Sequence, residues 1–239
     1  ISAGDPHRFF LERFGLSEPV LEQLVGGAVA RRANYADLYF EFRTVQSLSL
    51  EEGIVKTASQ HIAQGAGVRI VAGDKTGYAY SDDVTVESVR LATRTAQAIA
   101  QESGETRAVA VREMRASHDL YTLAESPLAA PLADKVELLD RIDVAARRYD
   151  PRITNVLATI SVEEKLVLIV SSAGIVVGDV QPLVRLNVTC IAEADGRREH
   201  GTYGGGGRVP YSFVLEGDRY VRFTRRAADQ ALRNLQAID

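Results

Sequence analysis

Cysteine, methionine and tryptophan are almost missing from this 239-residue sequence, which has one Cys, one Met and no Trp. The single Cys190 cannot form a disulfide within the chain, so a disulfide framework is excluded and a reducing, cytoplasmic compartment is expected. Histidine is also scarce, and no two of the four lie within helical or hairpin reach of each other. They are His7, His61, His118 and His200. Because zinc sites need three or four converging ligands, the sequence predicts no metal site in this chain.

Long apolar runs and an excess of basic charge are absent as well. No stretch approaches the roughly 20 apolar residues that span a bilayer. Residues 1–5 lack the basic and apolar regions of a signal peptide, so none is expected. The net charge of −4 and the pI of about 5.7 argue against direct binding of nucleic acid. Neither a membrane nor a nucleic acid is therefore expected as a partner.

Catalytic nucleophiles and acid–base pairs are not evident either. No Gly-x-Ser-x-Gly motif occurs, and Cys190 lies within an apolar segment that is typical of a buried structural thiol. Paired carboxylates occur at positions 51–52, 82–83 and 163–164, where turns or helix caps are predicted. The sequence thus predicts no catalytic residue in this chain.

Helical periodicity occurs in five segments of the sequence. They are residues 6–13, a segment after the N-cap candidate Ser17, residues 84–101, residues 134–149 and residues 218–235. Asp82 or Asp83 is expected to cap the third helix, and Asp134 to open the fourth. The apolar stripe of the third helix is expected to include Leu91 and Ile99.

Between the helices the apolar period changes from 3.6 to 2, which indicates strands. The predicted strands are 36–43, 45–50, 54–61, 68–72, 78–81, 153–162, 166–171, 175–177, 183–193 and 197–203. Turns are predicted at 51–53, at 163–165 and at Asp195-Gly196, and residues 209–214 are expected to be extended. Runs of strands separated from runs of helices indicate an α+β fold with mostly antiparallel sheets and flanking helices.

Two lobes are predicted within this fold. Residues 1–116 would form a first lobe with a four- to five-stranded meander, and residues 134–239 a second lobe. Residues 117–133, which contain two prolines and little periodicity, would connect the lobes as a loop.

The glycine run at residues 204–207 is the feature that most needs an explanation. It lacks the Gly-Lys-Ser/Thr ending of a phosphate loop, and no helix is predicted directly after it. Two interpretations stay open: a flexible loop, or a strand edge without side chains that an extended peptide can approach. In the second interpretation the substrate-binding residues are Tyr203, Gly204, Gly205, Gly206, Gly207 and Arg208.

Six segments in order resemble the TldD/PmbA metallopeptidase family, and more closely its TldD branch. They read ADLYFE (36–41), LEEGIVK (50–56), QGAGVR (64–69), DKTGYAYSD (74–82), RREHG (197–201) and GGGGR (204–208). The resemblance implies a zinc-dependent peptidase, a hydrolase acting in proteolysis and also described as a modulator of DNA gyrase. It also implies a PmbA/TldE-like partner subunit and a peptide substrate.

The family's His-Glu-x-x-x-His helix does not occur in this sequence. The resemblance therefore implies that this chain corresponds to the amino-terminal, non-catalytic portion of a family member, shaping the substrate chamber and the subunit contacts. On that expectation the chain alone is inactive and binds no zinc. The alternative is a binding or assembly module, like a gyrase modulator, without a hydrolytic role.

Overall fold

A computed structural model describes residues 5–29, 33–100, 109–114 and 125–237 of the chain. Five α-helices and seven β-strands occur there in the following order. They are α1 (Pro6–Phe14), α2 (Glu18–Ala28), β1 (Tyr35–Glu51), β2 (Ile54–Ala72), β3 (Lys75–Ser81), α3 (Val86–Ile99), β4 (Arg112–Glu113), α4 (Leu132–Tyr149), β5 (Ile153–Ser171), β6 (Ile175–Ala194), β7 (Arg197–Gly207) and α5 (Arg219–Gln236). None of these helices has the length and apolar character that crossing a membrane requires.

All the strands belong to one sheet, in the order β3-β2-β1-β5-β6, with β4 and β7 both paired to β6. Every pairing except the two-residue parallel contact of β4 is antiparallel. Since β5 occupies one side of β6 along almost its whole length, β4 and β7 share the other side. The α+β class with mostly antiparallel strands and flanking helices is confirmed.

The helices cover one face of this sheet. In β1, β5 and β6 most of the even-numbered residues are buried, as the period-two alternation requires. They form two hydrophobic clusters, one around α1, α2 and α3 and the other around α4 and α5. The odd-numbered residues form the opposite face, where Arg43 pairs with Glu163 at 2.6 Å and the Tyr39 hydroxyl donates to Glu41 at 2.7 Å.

Several predicted strand breaks are wrong, because the strands are much longer than their apolar runs. Residues 45–50 continue β1, and the separate strands predicted at 54–61 and 68–72 are both part of β2. The predicted turn at 163–165 is instead the middle of β5, and residues 175–177 and 183–193 merge into β6. Charged residues such as Glu163 and Lys165 interrupt the apolar pattern without interrupting the ladder, because they lie on the face without helices.

Helix boundaries are closer to expectation, with corrections at three capping positions. Thr85, not Asp82 or Asp83, caps α3, because its hydroxyl accepts the backbone N–H of Ser88. α4 begins at Leu132, before Asp134, and Ser17 precedes α2 without a side-chain cap. The predicted apolar stripe of α3 is also wrong at Leu91 and Ile99, which are both more than half exposed. Ala92 and Thr93 are buried instead.

The connecting segments settle two further expectations. The turns at Glu52-Gly53 and Asp195-Gly196 are confirmed, and all four of these residues have positive φ. The expected extended segment 209–214 instead contains a 3₁₀ turn at Tyr211–Val214. Of the predicted connecting loop, residues 117–124 lie outside the described residues, and Pro127–Ala129 form another 3₁₀ turn. The division into two lobes stays a prediction.

Candidate functional site

The glycine run is part of β7, which forms one outer edge of the sheet. β7 pairs with β6 without a register shift from Ala194↔Arg197 to Val184↔Gly207. Among the described residues no strand pairs with its other side. The flexible-loop interpretation of residues 204–207 is therefore wrong, and these glycines form a strand at the edge of a sheet.

Close packing explains why this strand has so few side chains. A Cβ at Gly201 would lie 2.3 Å from the carbonyl oxygen of Ala227 in α5, and one at Gly205 would lie 2.6 Å from the ring of Phe223. On the other face, a Cβ at Gly206 would lie 1.9 Å from the carbonyl oxygen of Val184. Only at Gly207 is there room for a side chain. The glycines therefore allow helix α5 and strand β6 to approach β7 closely.

The backbone of β7 has polar groups that point away from β6. In an antiparallel pair the N–H and C=O groups of alternate residues point outward. The hairpin at Asp195-Gly196 places the even-numbered residues of β7 in that orientation. Helix α5 satisfies two of these groups with side-chain amides. Gln230 accepts the N–H of Thr202 at 3.2 Å, and Asn234 donates to the carbonyl of His200 at 2.8 Å.

Beyond Thr202 the same edge has no such cover. Gly204 and Gly206 are the next residues whose N–H and C=O point outward, and no hydrogen bond to these groups occurs within the described residues. Gly204 is partly exposed and Gly206 is exposed. We call these two residues the open edge. It presents backbone groups without side chains, which is the geometry that an added peptide strand pairs with.

The two predicted flanking residues, Tyr203 and Arg208, contact different parts of the fold. Tyr203 points towards α5, where its ring packs edge-on against Phe223 with centroids 5.3 Å apart and its hydroxyl accepts from Arg226 at 2.5 Å. Arg208 follows the end of β7, and its guanidinium donates to the carbonyl of Pro182 at 3.4 Å. The structure thus brings all six predicted residues to one end of β7, with Tyr203 beneath the strand.

Two ionisable residues are buried although the sequence does not predict their burial: Lys135 is not singled out, and Glu164 is assigned to a turn. The Nζ of Lys135 donates to Gln46 and to the carbonyl of Ala130, both at 2.7 Å, and burial lowers its pKa. Burial raises the pKa of Glu164, partly opposed by a hydrogen bond from Ser126. Within the described residues the Oε2 atom of Glu164 has no hydrogen-bond partner. The period-two pattern of β5 could have predicted that Glu164 is buried, because Glu164 shares the even-numbered face with the buried apolar residues of this strand.

The described residues do not offer a zinc site. No group of three or more His, Cys, Asp or Glu side chains among them could hold a metal ion. Burial raises the pKa of Cys190 to about 12, so this thiol stays protonated and packs as a small apolar side chain.

An antiparallel sheet with helices on one face and a glycine-lined open edge defines a scaffold with a candidate strand-binding site. The model for the PmbA/TldA metallopeptidase domain 1 matches residues 36–100, and the model for the central domain matches residues 125–235. The chain belongs to the PmbA/TldD metallopeptidase family.

Curated relatives carry names from the same family. The chain is 37% identical over 214 residues to the Metalloprotease TldD homolog of Haemophilus influenzae, covering 87% of this chain and 44% of that protein. It is 35% identical over 216 residues to the Metalloprotease TldD homolog of Buchnera aphidicola, covering 85% and 43%. The chain therefore spans less than half the length of these relatives.

Solved structures share the fold at lower identity. A suggested modulator of DNA gyrase from Bacteroides thetaiotaomicron has a TM-score of 0.69 at 13% identity, covering 90% of this chain and 49% of that one. TldE from Thermococcus kodakarensis has a TM-score of 0.64 at 18% identity, covering 89% and 47%.

Proposed function

We propose that this chain is the non-catalytic part of a zinc-dependent peptidase, where it guides an extended peptide towards a metal centre outside the described residues. The open edge at Gly204 and Gly206 carries this proposal. The relatives named metalloprotease support a metal-dependent hydrolase. Zinc as the metal and the cytoplasm as the compartment are part of the proposal.

The peptide would bind by adding a strand to β7. An added strand gains affinity from main-chain hydrogen bonds, and pockets for side chains provide selectivity. The open edge has main-chain groups but no side chains of its own, so it would tolerate many peptide sequences. Because one main-chain hydrogen bond contributes only about 0.5–1.5 kcal/mol, two paired residues would hold a peptide weakly. Weak pairing suits a guiding surface, which must release its substrate.

The partner would be a PmbA/TldE-like subunit. The fold shared with TldE from Thermococcus kodakarensis supports a related partner chain. We also propose that residues 117–133 separate two lobes, because the two family models match on either side of residues 101–124. In this arrangement both lobes contribute walls to a substrate chamber.

A peptide with altered backbone tests the open edge directly. Valine at Gly205 or Gly206 would disturb packing, so the peptide is a better place for the change. In a strand that pairs on one side, only alternate N–H groups face the protein. Single N-methyl groups placed along a fluorescent peptide should therefore weaken binding to this chain at two positions, opposite Gly206 and Gly204, and not at the position between them. An equal effect at all positions, or none, would contradict strand addition.

The absence of catalysis is tested separately. The chain alone should hydrolyse no peptide and should bind no stoichiometric zinc, as measured by peptide cleavage and by metal analysis after dialysis. A longer family protein that includes a His-Glu-x-x-x-His helix is the positive control. One tightly bound zinc per chain would overturn the proposal that the metal centre lies elsewhere.

A second candidate function is a binding or assembly module, favoured by the other outer edge of the sheet. β3 pairs with β2 only from Ala66 to Ala72, so the preceding half of β2 has no strand on its outer side among the described residues. Ile54 and Ile62 in this half are 59% and 48% exposed. Exposed strand edges of this length are sites of pairing with another chain. The partner would again be a PmbA/TldE-like subunit.

Proline at Ala58 distinguishes this function from peptide guiding. The backbone N–H of Ala58 points away from β1, so proline removes a donor from the edge and costs the chain's own ladder little. If assembly uses this edge, Ala58→Pro should abolish complex formation with the partner subunit in gel filtration while peptide binding persists. Undiminished assembly would exclude this edge as the subunit interface.

A further inference from the structure

A cavity of about 540 Å³ lies between helix α5 and β7. Its lining residues are Tyr203, Arg226, Gln230, Arg233 and Asn234. Residues three and four apart share one side of a helix, so the four residues of α5 form a single stripe along β7. Gln230 and Asn234 in this stripe are the residues that cover the backbone of Thr202 and His200. The cavity therefore lies at the covered end of the edge, and Tyr203 in its lining directly precedes Gly204.

Two guanidinium groups in this cavity have no carboxylate partner within the described residues. Arg226 donates to the Tyr203 hydroxyl at 2.5 Å, and its guanidinium lies 4.9 Å from the centre of that ring. Arg233 donates from Nε to the carbonyl of Asp229 at 3.2 Å. The carboxylate of Asp229 accepts from Tyr149 instead, at 2.5 Å. A guanidinium has five N–H donors, so both groups keep donors for an anion.

The segment that forms β7 and α5 has a net charge of the opposite sign from that of the whole chain. Residues 197–237 contain eight arginines and four acidic residues, whereas the complete chain has a net charge of −4. Arg226 and Arg233 are both exposed, so a ligand can reach them from solvent. A carboxylate is the anion that a peptide provides, and guanidinium groups bind it with charge-assisted hydrogen bonds.

The direction of an added strand determines which part of a peptide reaches the cavity. β7 runs from Arg197 to Gly207. A strand paired antiparallel with it meets Gly206 first and Gly204 second, and then approaches Thr202. Gln230 already occupies the N–H of Thr202, so pairing ends there. The carboxyl end of the peptide is then beside Tyr203 and Arg226.

We propose that this cavity binds the carboxyl-terminal carboxylate of a peptide paired antiparallel with the open edge, with Arg226 and Arg233 as donors. The inference rests on the proposed function, since it takes strand addition at Gly204 and Gly206 as given. It assigns polarity to the bound peptide and makes its free carboxyl end a determinant of affinity. An acidic side chain near the same position is the other source of a carboxylate.

The test compares three fluorescent peptides that differ only at the carboxyl end. One ends in a free acid, one in an amide, and one in an amide after a glutamate residue. Binding to the 239-residue chain is measured by fluorescence anisotropy. The free acid should bind about ten-fold more tightly than the amide, because its carboxylate accepts charge-assisted hydrogen bonds that the amide cannot form.

Protein variants assign this preference to the cavity. Arg226→Gln and Arg233→Gln should each remove most of the difference between acid and amide peptides, by weakening the acid peptide far more than the amide. Arg225→Gln makes the same charge change on α5 outside the cavity lining and should keep the full difference. Circular dichroism of each variant checks that the fold is intact.

The outcomes separate the two proposals. Equal binding of acid and amide peptides, with the alternating N-methyl effect preserved, overturns the carboxylate site and leaves strand addition standing. Loss of the alternating effect overturns the proposed function itself. If the glutamate peptide matches the free acid and both arginine variants weaken it, the ligand is a side chain and the terminal assignment is wrong.

Discussion

The two outer edges of the sheet differ in how much of their backbone is covered. At β7, helix α5 packs so closely that Gly201 has no room for a Cβ, and its amides cover two backbone groups of the edge. At β2, residues 54–65 lie beyond the pairing with β3, and within the described part of the chain the side chains of Ile54 and Ile62 are exposed. The uncovered part of the β7 edge is short, whereas the uncovered part of the β2 edge is long.

This difference shows how a sheet can limit what pairs with it. An edge strand presents unpaired N–H and C=O groups that recruit other strands, so proteins cover, charge or shorten it. The chain shortens the β7 edge with side-chain amides and leaves an opening two outward-facing residues long. A short opening suits weak peptide pairing, and the long edge of β2 suits a stable interface.

The largest expected effect comes from breaking the contact between α5 and β7. In Gly201→Val the new Cβ would fall 2.3 Å from the carbonyl oxygen of Ala227 and 2.4 Å from the backbone nitrogen of Ala231. Backbone atoms cannot yield as a side chain can, so the free energy of unfolding should fall by about 3 kcal/mol or more. Urea unfolding followed by circular dichroism measures this loss.

Gly207→Val is the matched control for this change. The nearest atom to a Cβ at Gly207 is 3.9 Å away, in the side chain of Val209. Its free energy of unfolding should stay within about 0.5 kcal/mol of the wild type. Equal losses in both variants would mean that the glycines act through backbone freedom and not through the approach of α5.

How much of this contrast the sequence predicts depends on the distance between the residues involved. The Asp195-Gly196 turn and the helix at residues 218–235 are local patterns, and both are predicted correctly. The role of Gly201 requires Ala227 of α5, more than 20 positions later, to lie across β7. Pairing between Gln230 and Thr202 is equally non-local. Residues 204–207 could be predicted as an edge, but not as the uncovered part of one.

The long strands show a second limit of local patterns. Glu163 and Lys165 predict a turn by composition, yet both belong to β5. Their side chains form ion pairs across the sheet with Arg43 and Glu41 in β1. Period two continues through this region, with Val162, Glu164 and Leu166 all buried. Only the burial of the acidic residue breaks the expected alternation of apolar and polar residues.

A change at Glu164, which lies in β5 away from both outer edges, should have an intermediate effect on the free energy of unfolding. It serves as a comparison for the changes made at the edges. Its buried Oε2 lacks a hydrogen-bond partner among the described residues, and burial raises its pKa. Such a group stabilises the fold in its protonated form, so its contribution is lost as the pH rises through the folded-state pKa. Glu164→Gln should raise the free energy of unfolding at pH 7 by about 1–3 kcal/mol.

The pH dependence distinguishes this mechanism from improved packing. Below the unfolded-state pKa of about 4.3, wild type carries a neutral acid, so the advantage of Glu164→Gln should disappear. Urea titrations at pH 7 and near pH 3.5 give the comparison. A constant advantage at both pH values would contradict the role of charge. Peptide binding at the β7 edge should be unchanged in this variant.

The smallest stability effect is expected from the two amides that shorten the β7 edge, although they bear most directly on the contrast with β2. Gln230→Ala and Asn234→Ala each remove one hydrogen bond to an exposed backbone group that water can replace. Each variant should therefore lose only about 0.5–1 kcal/mol of unfolding free energy.

The double variant, however, exposes His200 and Thr202 and lengthens the open edge from two outward-facing residues to four. N-methyl scanning of a longer peptide should then show additional sensitive positions at the carboxyl end, still at every second residue. If the number of sensitive positions does not change, the amides stabilise α5 without limiting the edge, and the difference between the two edges must be attributed to the packing of α5 alone.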